Sequence, residues 1–114
     1  MTSSIDHATF SELRDTTGSE FVRELVDTFF VEAPLMLASL DRALAERNAA
    51  DFRRAAHSLK SNSNTFGALG LGALARELEL SGLDPVLAAN GSQLAALRLE
   101  YARVAAALTE LRHA

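Results

Sequence analysis

Within Arg53-Arg54-Ala55-Ala56-His57-Ser58-Leu59-Lys60-Ser61 a histidine lies in helix-forming sequence with polar neighbours at helical spacing. At about 100° per residue, Phe52, Ala55, Ala56, Leu59, Ser63 and Phe66 gather on one stripe, and His57 falls about 140° away from Phe52. His57 therefore faces outward, with Arg53 at i−4, Lys60 at i+3, Ser61 at i+4 and Asn64 at i+7 around it. A neutral imidazole is a good nucleophile near pH 7 because its reference pKa is about 6.5, and a hydrogen bond to its second nitrogen can fix the tautomer. Phosphorylation is the natural chemistry for such a group, with the Lys60 ammonium beside the ring to neutralise the transferred charge. Ser61 is small enough to let another protein come close, and Asn64 and Arg53 offer donors on either side of the imidazole. The bland alternatives are a solvated His57 and Lys60, Ser61 and Asn64 merely tolerated on a helix surface, and Arg53 and Arg54 paired with nearby acids.

Other motifs carry less. His7 and His113 have no comparable company, and Glu110-Leu111-Arg112-His113 has the Glu-x-x-His spacing of di-iron bundles without the second copy that chemistry needs. Gly70-Leu71-Gly72-Ala73-Leu74-Ala75 imitates a dinucleotide-binding turn, yet no strand precedes it. No phosphate-binding Gly-x-x-x-x-Gly-Lys-Ser/Thr is present, so the chain has no visible means of phosphorylating itself from ATP. No metal or cofactor site is expected.

The elements that must position His57 are all helical, since every strong periodicity is helical and no segment alternates like a strand. A short first helix is expected over about Asp6 to Arg14, closed by Thr16-Thr17-Gly18-Ser19, with Ser19 capping the second helix. From Glu20 to about Arg47 apolar residues keep helical spacing through Pro34, which fits either one bent helix or two stacked ones. Asn48 and Asp51 resemble a capping pair opening the helix of His57, which runs to Phe66 and stops at Gly67. A fourth helix spans about Leu69 to Leu80, and Asp84-Pro85 starts at most a brief helical turn before Asn90-Gly91. In the last helix Leu94, Leu97, Tyr101, Val104, Leu108 and Leu111 form a packing seam. Four main helices with short joins predict an all-α, antiparallel four-helix bundle with a short additional N-terminal helix.

The 114 residues fit one domain over 1–114, and 48% hydrophobic residues suffice for a modest core. The absence of cysteine excludes disulfides, thiolate metal sites and a cysteine nucleophile, and suits a cytoplasmic protein. No apolar run approaches the ~18 residues of a membrane span, and the N-terminus lacks the blocks of a signal peptide. A net charge of −4 disfavours a general nucleic-acid role, while Arg53, Arg54 and Lys60 make a local basic patch suited to an anionic group.

The run AAHSLKSNSNTFGALGLGALARELE resembles the signature of histidine-containing phosphotransfer (HPt) domains, the modules of multistep phosphorelays. The likeness centres on residues 52 to 79. It implies that His57 is the phosphoryl acceptor, that Leu59 and Lys60 supply its x-Leu-Lys, and that Ser61 stands where the family has glycine or serine. Phe66-Gly67-Ala68 stands for the family's Leu-Gly-Ala, and Leu71, Leu74, Leu78 and Glu79 for its leucine run. It further implies that Glu79 holds the other imidazole nitrogen, although an ordinary exposed glutamate is the competing reading. The resemblance implies a monomeric carrier without ATP chemistry of its own. Its partners would be response-regulator receiver domains, whose aspartates donate and accept the phosphoryl group, and a hybrid sensor histidine kinase; Mg2+ would belong to the receiver. An adaptor that binds a receiver or another signalling partner without accepting phosphate is the alternative.

Overall fold

The computed structural model describes residues 4–112. Asp6 is extended and its carboxylate accepts the Thr9 backbone N–H at 3.2 Å, which satisfies one of the donors left over at a helix start. The helix it opens, α1 (His7–Thr17), runs further than the sequence suggests, and the Thr17 hydroxyl donates back to the Leu13 carbonyl at 2.7 Å. Only Gly18 then separates it from α2 (Ser19–Glu46). Ser19, expected to cap α2, is instead its first residue; Gly18 occupies the cap position and provides no side-chain bond. Gly18 is the cap position of both helices, so no residue is left between them to act as a side-chain cap.

α2 is one continuous helix through Pro34, which lies on its exposed side where the loss of a ladder bond costs least. After it Arg47 takes the left-handed conformation at φ 56°, and Asn48 caps α3 (Ala49–Thr65) by accepting the Asp51 N–H at 3.1 Å while donating to the Asp51 carboxylate at 2.8 Å. α3 ends at Phe66, and Gly67 turns the chain at φ 85°. A β-carbon there would sit 2.7 Å from the Asp6 carbonyl oxygen, so the turn demands glycine for space as well as conformation. The Gly67 carbonyl accepts the Asp6 N–H at 2.7 Å and ties the start of α1 to the end of α3. α4 (Leu69–Ser81) comes next, then α5 (Leu83–Ala88) and α6 (Ser92–Arg112). α5 is a formed six-residue helix, held down by buried Leu83 and Val86, where the sequence suggests at most a turn.

α2, α3, α4 and α6 pack in a ring, each against the next and α6 back against α2, while α1 lies on α2 and α3. Antiparallel order is visible in the cross-links. Arg112 near the end of α6 pairs with Asp27 near the start of α2, and Arg98 further back on α6 pairs with Asp41 further along α2. The core holds Phe10, Leu40, Phe52, Leu59, Leu71 and Leu97, all fully enclosed; each such side chain contributes roughly 1.5–3 kcal/mol of burial. Phe29 packs between Phe66 and Tyr101, at ring separations of 5.3 and 5.9 Å. Among the described residues all regular elements are helices, and no helix is long and apolar enough to cross a membrane.

Ser63 lies on the buried stripe of α3 with 0% exposure, and its hydroxyl has no partner among the described residues. An unpaired buried hydroxyl costs more than it returns. Ser63→Ala is therefore expected to stabilise the fold by about 1 kcal/mol. The urea midpoint should rise with an unchanged slope; a fall would mean the hydroxyl is bonded.

Candidate functional site

The α3–α4 pair carries the polar site on its outer side. Three features let the two helices meet there. Phe52, Ala56, Leu59 and Ser63 of α3 point inward. Leu71, Ala75 and Leu78 of α4 do the same. Gly72 lacks the β-carbon that would collide with the Asn64 carboxamide at 2.0 Å, so α4 comes close to α3 at this point.

His57 projects with its side chain 56% exposed, and its Nδ1 lies 2.6 Å from Oε2 of Glu79 on α4. Lys60 donates to the other oxygen of the same carboxylate, Oε1, at 2.7 Å. Glu79 thus bridges an imidazole and an ammonium. Its side chain is only 22% exposed and that of Lys60 23%, so neither is an ordinary solvated charge. The bond from Lys60 is the main cause holding the Glu79 carboxyl below the usual glutamate range, with the His57 contact adding to it against partial desolvation. An ionised carboxylate can only accept, so Nδ1 carries the imidazole proton. In the neutral ring Nε2 then keeps its lone pair, on the side opposite the Glu79 contact and without a hydrogen-bond partner among the described residues.

The sign of the Glu79 shift sets an expectation for acid. Because the folded state favours its ionised form, the bridge is fully present above the ordinary glutamate range and is lost as pH falls through the lowered folded value. An NMR titration of the Glu79 side-chain carboxyl carbon should give a midpoint below the ordinary glutamate range. A midpoint within that range would mean the bridge does not persist in solution.

The remaining residues of the expected site are not all drawn to the imidazole. Ser61 is exposed one turn beyond His57, and its backbone carbonyl accepts the Thr65 hydroxyl at 3.0 Å. Asn64 is turned onto Gly72 of α4, further along the groove. Arg53 lies one turn before His57 with its guanidinium against Gly82 at the end of α4. Arg54 pairs with Asp51 at 2.8 Å, whereas Arg53 pairs with no acid among the described residues. His7 sits at the start of α1 on the exposed surface. His113, and with it the Glu110-to-His113 spacing, lies outside the described residues. Among those residues no group of three or more His, Asp or Glu is arranged to hold a metal ion. Gly70-Leu71-Gly72 forms the first turn of α4, preceded by the α3–α4 turn.

Fold and site together define a helical bundle that presents one histidine, held at Nδ1 and open at Nε2. The profile of the Hpt domain family matches residues 24–112, and the chain belongs to that family. It is similar over 99% of its length to 97% of the chain in the crystal structure of histidine-containing phosphotransfer protein B (HptB) from Pseudomonas aeruginosa PAO1, with 27% identity and a TM-score of 0.88. A comparison with curated proteins returned no match. The role of the chain is histidine phosphotransfer in a phosphorelay.

Proposed function

We propose that His57 is the phosphoryl-accepting residue and that the chain carries the group between the aspartates of two receiver domains. The observation that carries this is the Nδ1 contact with Glu79 at 2.6 Å, which leaves the Nε2 lone pair outward. In the forward step Nε2 attacks the phosphorus of an aspartyl phosphate, the bond from phosphorus to the aspartate oxygen breaks, and that carboxylate leaves with the electron pair. No proton has to move. The Nδ1 proton stays between the ring and Glu79, so the positive charge formed on the imidazolium meets a carboxylate already in place. The return step reverses these bonds with another receiver. Lys60 has a double part: it holds the carboxylate and places an ammonium beside the phosphoryl group.

Exposure fits a group that must be reached by another protein. A groove of about 480 Å3 between α2 and α3, lined by Leu35, Met36, Arg54, Ala55 and Ser58 among others, opens beside the histidine row, and Leu35 is 62% exposed. Small Ser61 keeps the approach to His57 low. We assign docking of receiver domains to this side, with a hybrid sensor kinase as the source of the phosphoryl group and the cytoplasm as the compartment. The chain acts as a carrier with no ATP-dependent kinase activity of its own. Mixing a receiver domain phosphorylated on aspartate with this chain tests the reading: label should pass to the chain in acid-labile, base-stable form. Failure of transfer across a panel of receivers, with binding intact, would favour the adaptor reading.

A further inference from the structure

Charge balance at His57 is incomplete for the phosphorylated state. Glu79 and Lys60 offset one another, since the ammonium lies 2.7 Å from the carboxylate that also holds Nδ1. A phosphoryl group brings about −1.5 to −2 charges at neutral pH, partly met by the imidazolium it creates. A further cation is needed at the outer end of the ring.

Arg53 is placed to supply it. Four residues before His57, it occupies the neighbouring position on the same helix face. Side chains on a helix lean toward its N-terminus, so the His57 ring covers the turn that starts at Arg53 and leans away from Ser61. The Arg53 guanidinium rests against Gly82, with an Nη 3.0 Å from where a β-carbon of that residue would be. It makes no ion pair or hydrogen bond among the described residues, unlike Arg54, which Asp51 occupies at 2.8 Å. Arg76, exposed one turn before Glu79 on α4, lies on the Lys60 side of an antiparallel pair. It stands away from the direction in which the ring leans. A planar guanidinium also binds two phosphoryl oxygens at once, which an ammonium cannot do with the same geometry.

Resting on the assignment of His57 as acceptor, we propose that Arg53 is a phosphoryl-binding residue, free in the unphosphorylated protein and engaged only when Nε2 carries the group. Arg53 therefore sets how much phosphate this chain retains at equilibrium with a receiver, while contributing little to docking of the unphosphorylated form.

The test is the transfer equilibrium between this chain and a phosphorylated receiver domain, for wild type, R53Q, R53K and R76Q, with H57Q as control. R53Q should lower the ratio of phosphohistidine to aspartyl phosphate roughly tenfold, the scale of one charge-assisted hydrogen-bonded contact. R53K should recover part of that loss. Calorimetric binding of unphosphorylated chain to unphosphorylated receiver should be unchanged by R53Q, and its melting curve should match wild type. An unchanged ratio in R53Q overturns the proposal, as does a ratio that falls in R76Q alone. A parallel loss of binding by the unphosphorylated R53Q chain would make Arg53 a docking residue and overturn it too. Label entering H57Q would instead remove the acceptor assignment beneath it, an outcome read separately from the R53Q ratio.

Discussion

His57→Gln is expected to take up no label from a phosphorylated receiver while folding and binding as wild type does. The side chain is 56% exposed and its one polar contact among the described residues is with Glu79, so glutamine fits the same surface. What it lacks is the lone pair on a ring nitrogen that can form and release a bond to phosphorus. The loss should be complete, because His7 opens α1 beside the Gly67 turn, beyond the C-terminal end of α3, and no second nucleophile shares the Glu79 carboxylate among the described residues. Quantifying acid-labile label on purified variant, together with receiver affinity by calorimetry, decides it. Residual label would show that the acceptor is another residue.

The next largest effect is expected at Glu79. In Glu79→Ala, Nδ1 loses its acceptor and the ring is free to turn and to carry its proton on Nε2, where it blocks the nucleophile. Forward transfer should slow by about 100-fold, the scale on which misplacing a reacting group acts. Glu79→Gln keeps an acceptor for Nδ1–H without the charge, and should recover part of the rate. A readout that a merely structural role would not move is the tautomer of His57 seen in its ring 15N shifts: Nδ1–H in wild type, a rising share of Nε2–H in Glu79→Ala. Unchanged shifts with a slowed reaction would mean that Glu79 acts on docking and not on the ring.

The contrast between these two residues also marks how far the site is legible in the sequence. His57 follows from local periodicity: Phe52, Ala56 and Leu59 must be inside, and a residue opposite them must be outside. Lys60 at i+3 is equally local, yet its orientation is not, because helical spacing puts it beside His57 without saying that it turns to α4. Glu79 is separated from His57 by a complete helix–turn–helix, and only the likeness to HPt domains points to it. Asn64 is on the expected row, but Gly72 on the facing helix leaves a vacancy that draws its carboxamide to α4. Asp51 stands at i−3 to Arg54 and at i−2 to Arg53, so helical spacing already favours the pair with Arg54; that Arg53 then lies against Gly82 of the facing helix is not visible in the sequence.

Helix order, the inward stripes and the capping of α3 by Asn48 are written in the sequence, because a helix is made by contacts three and four residues apart and a cap by its immediate neighbours. Helix ends are less so: α1 runs on through exposed Thr16 and Thr17 to Gly18, whose N–H bonds the Arg14 carbonyl, and Ser19 becomes the first residue of α2. The chemistry around the ring, by contrast, comes from the packing of α3 on α4. One carboxylate on α4 takes both His57 and Lys60, leaving Nε2 open and Arg53 unengaged, and such a bridge depends on the separation and rotation of two packed helices. Those are set by Gly72, Ala75 and the rest of the α3–α4 contact, a long-range quantity that no local pattern of residues encodes.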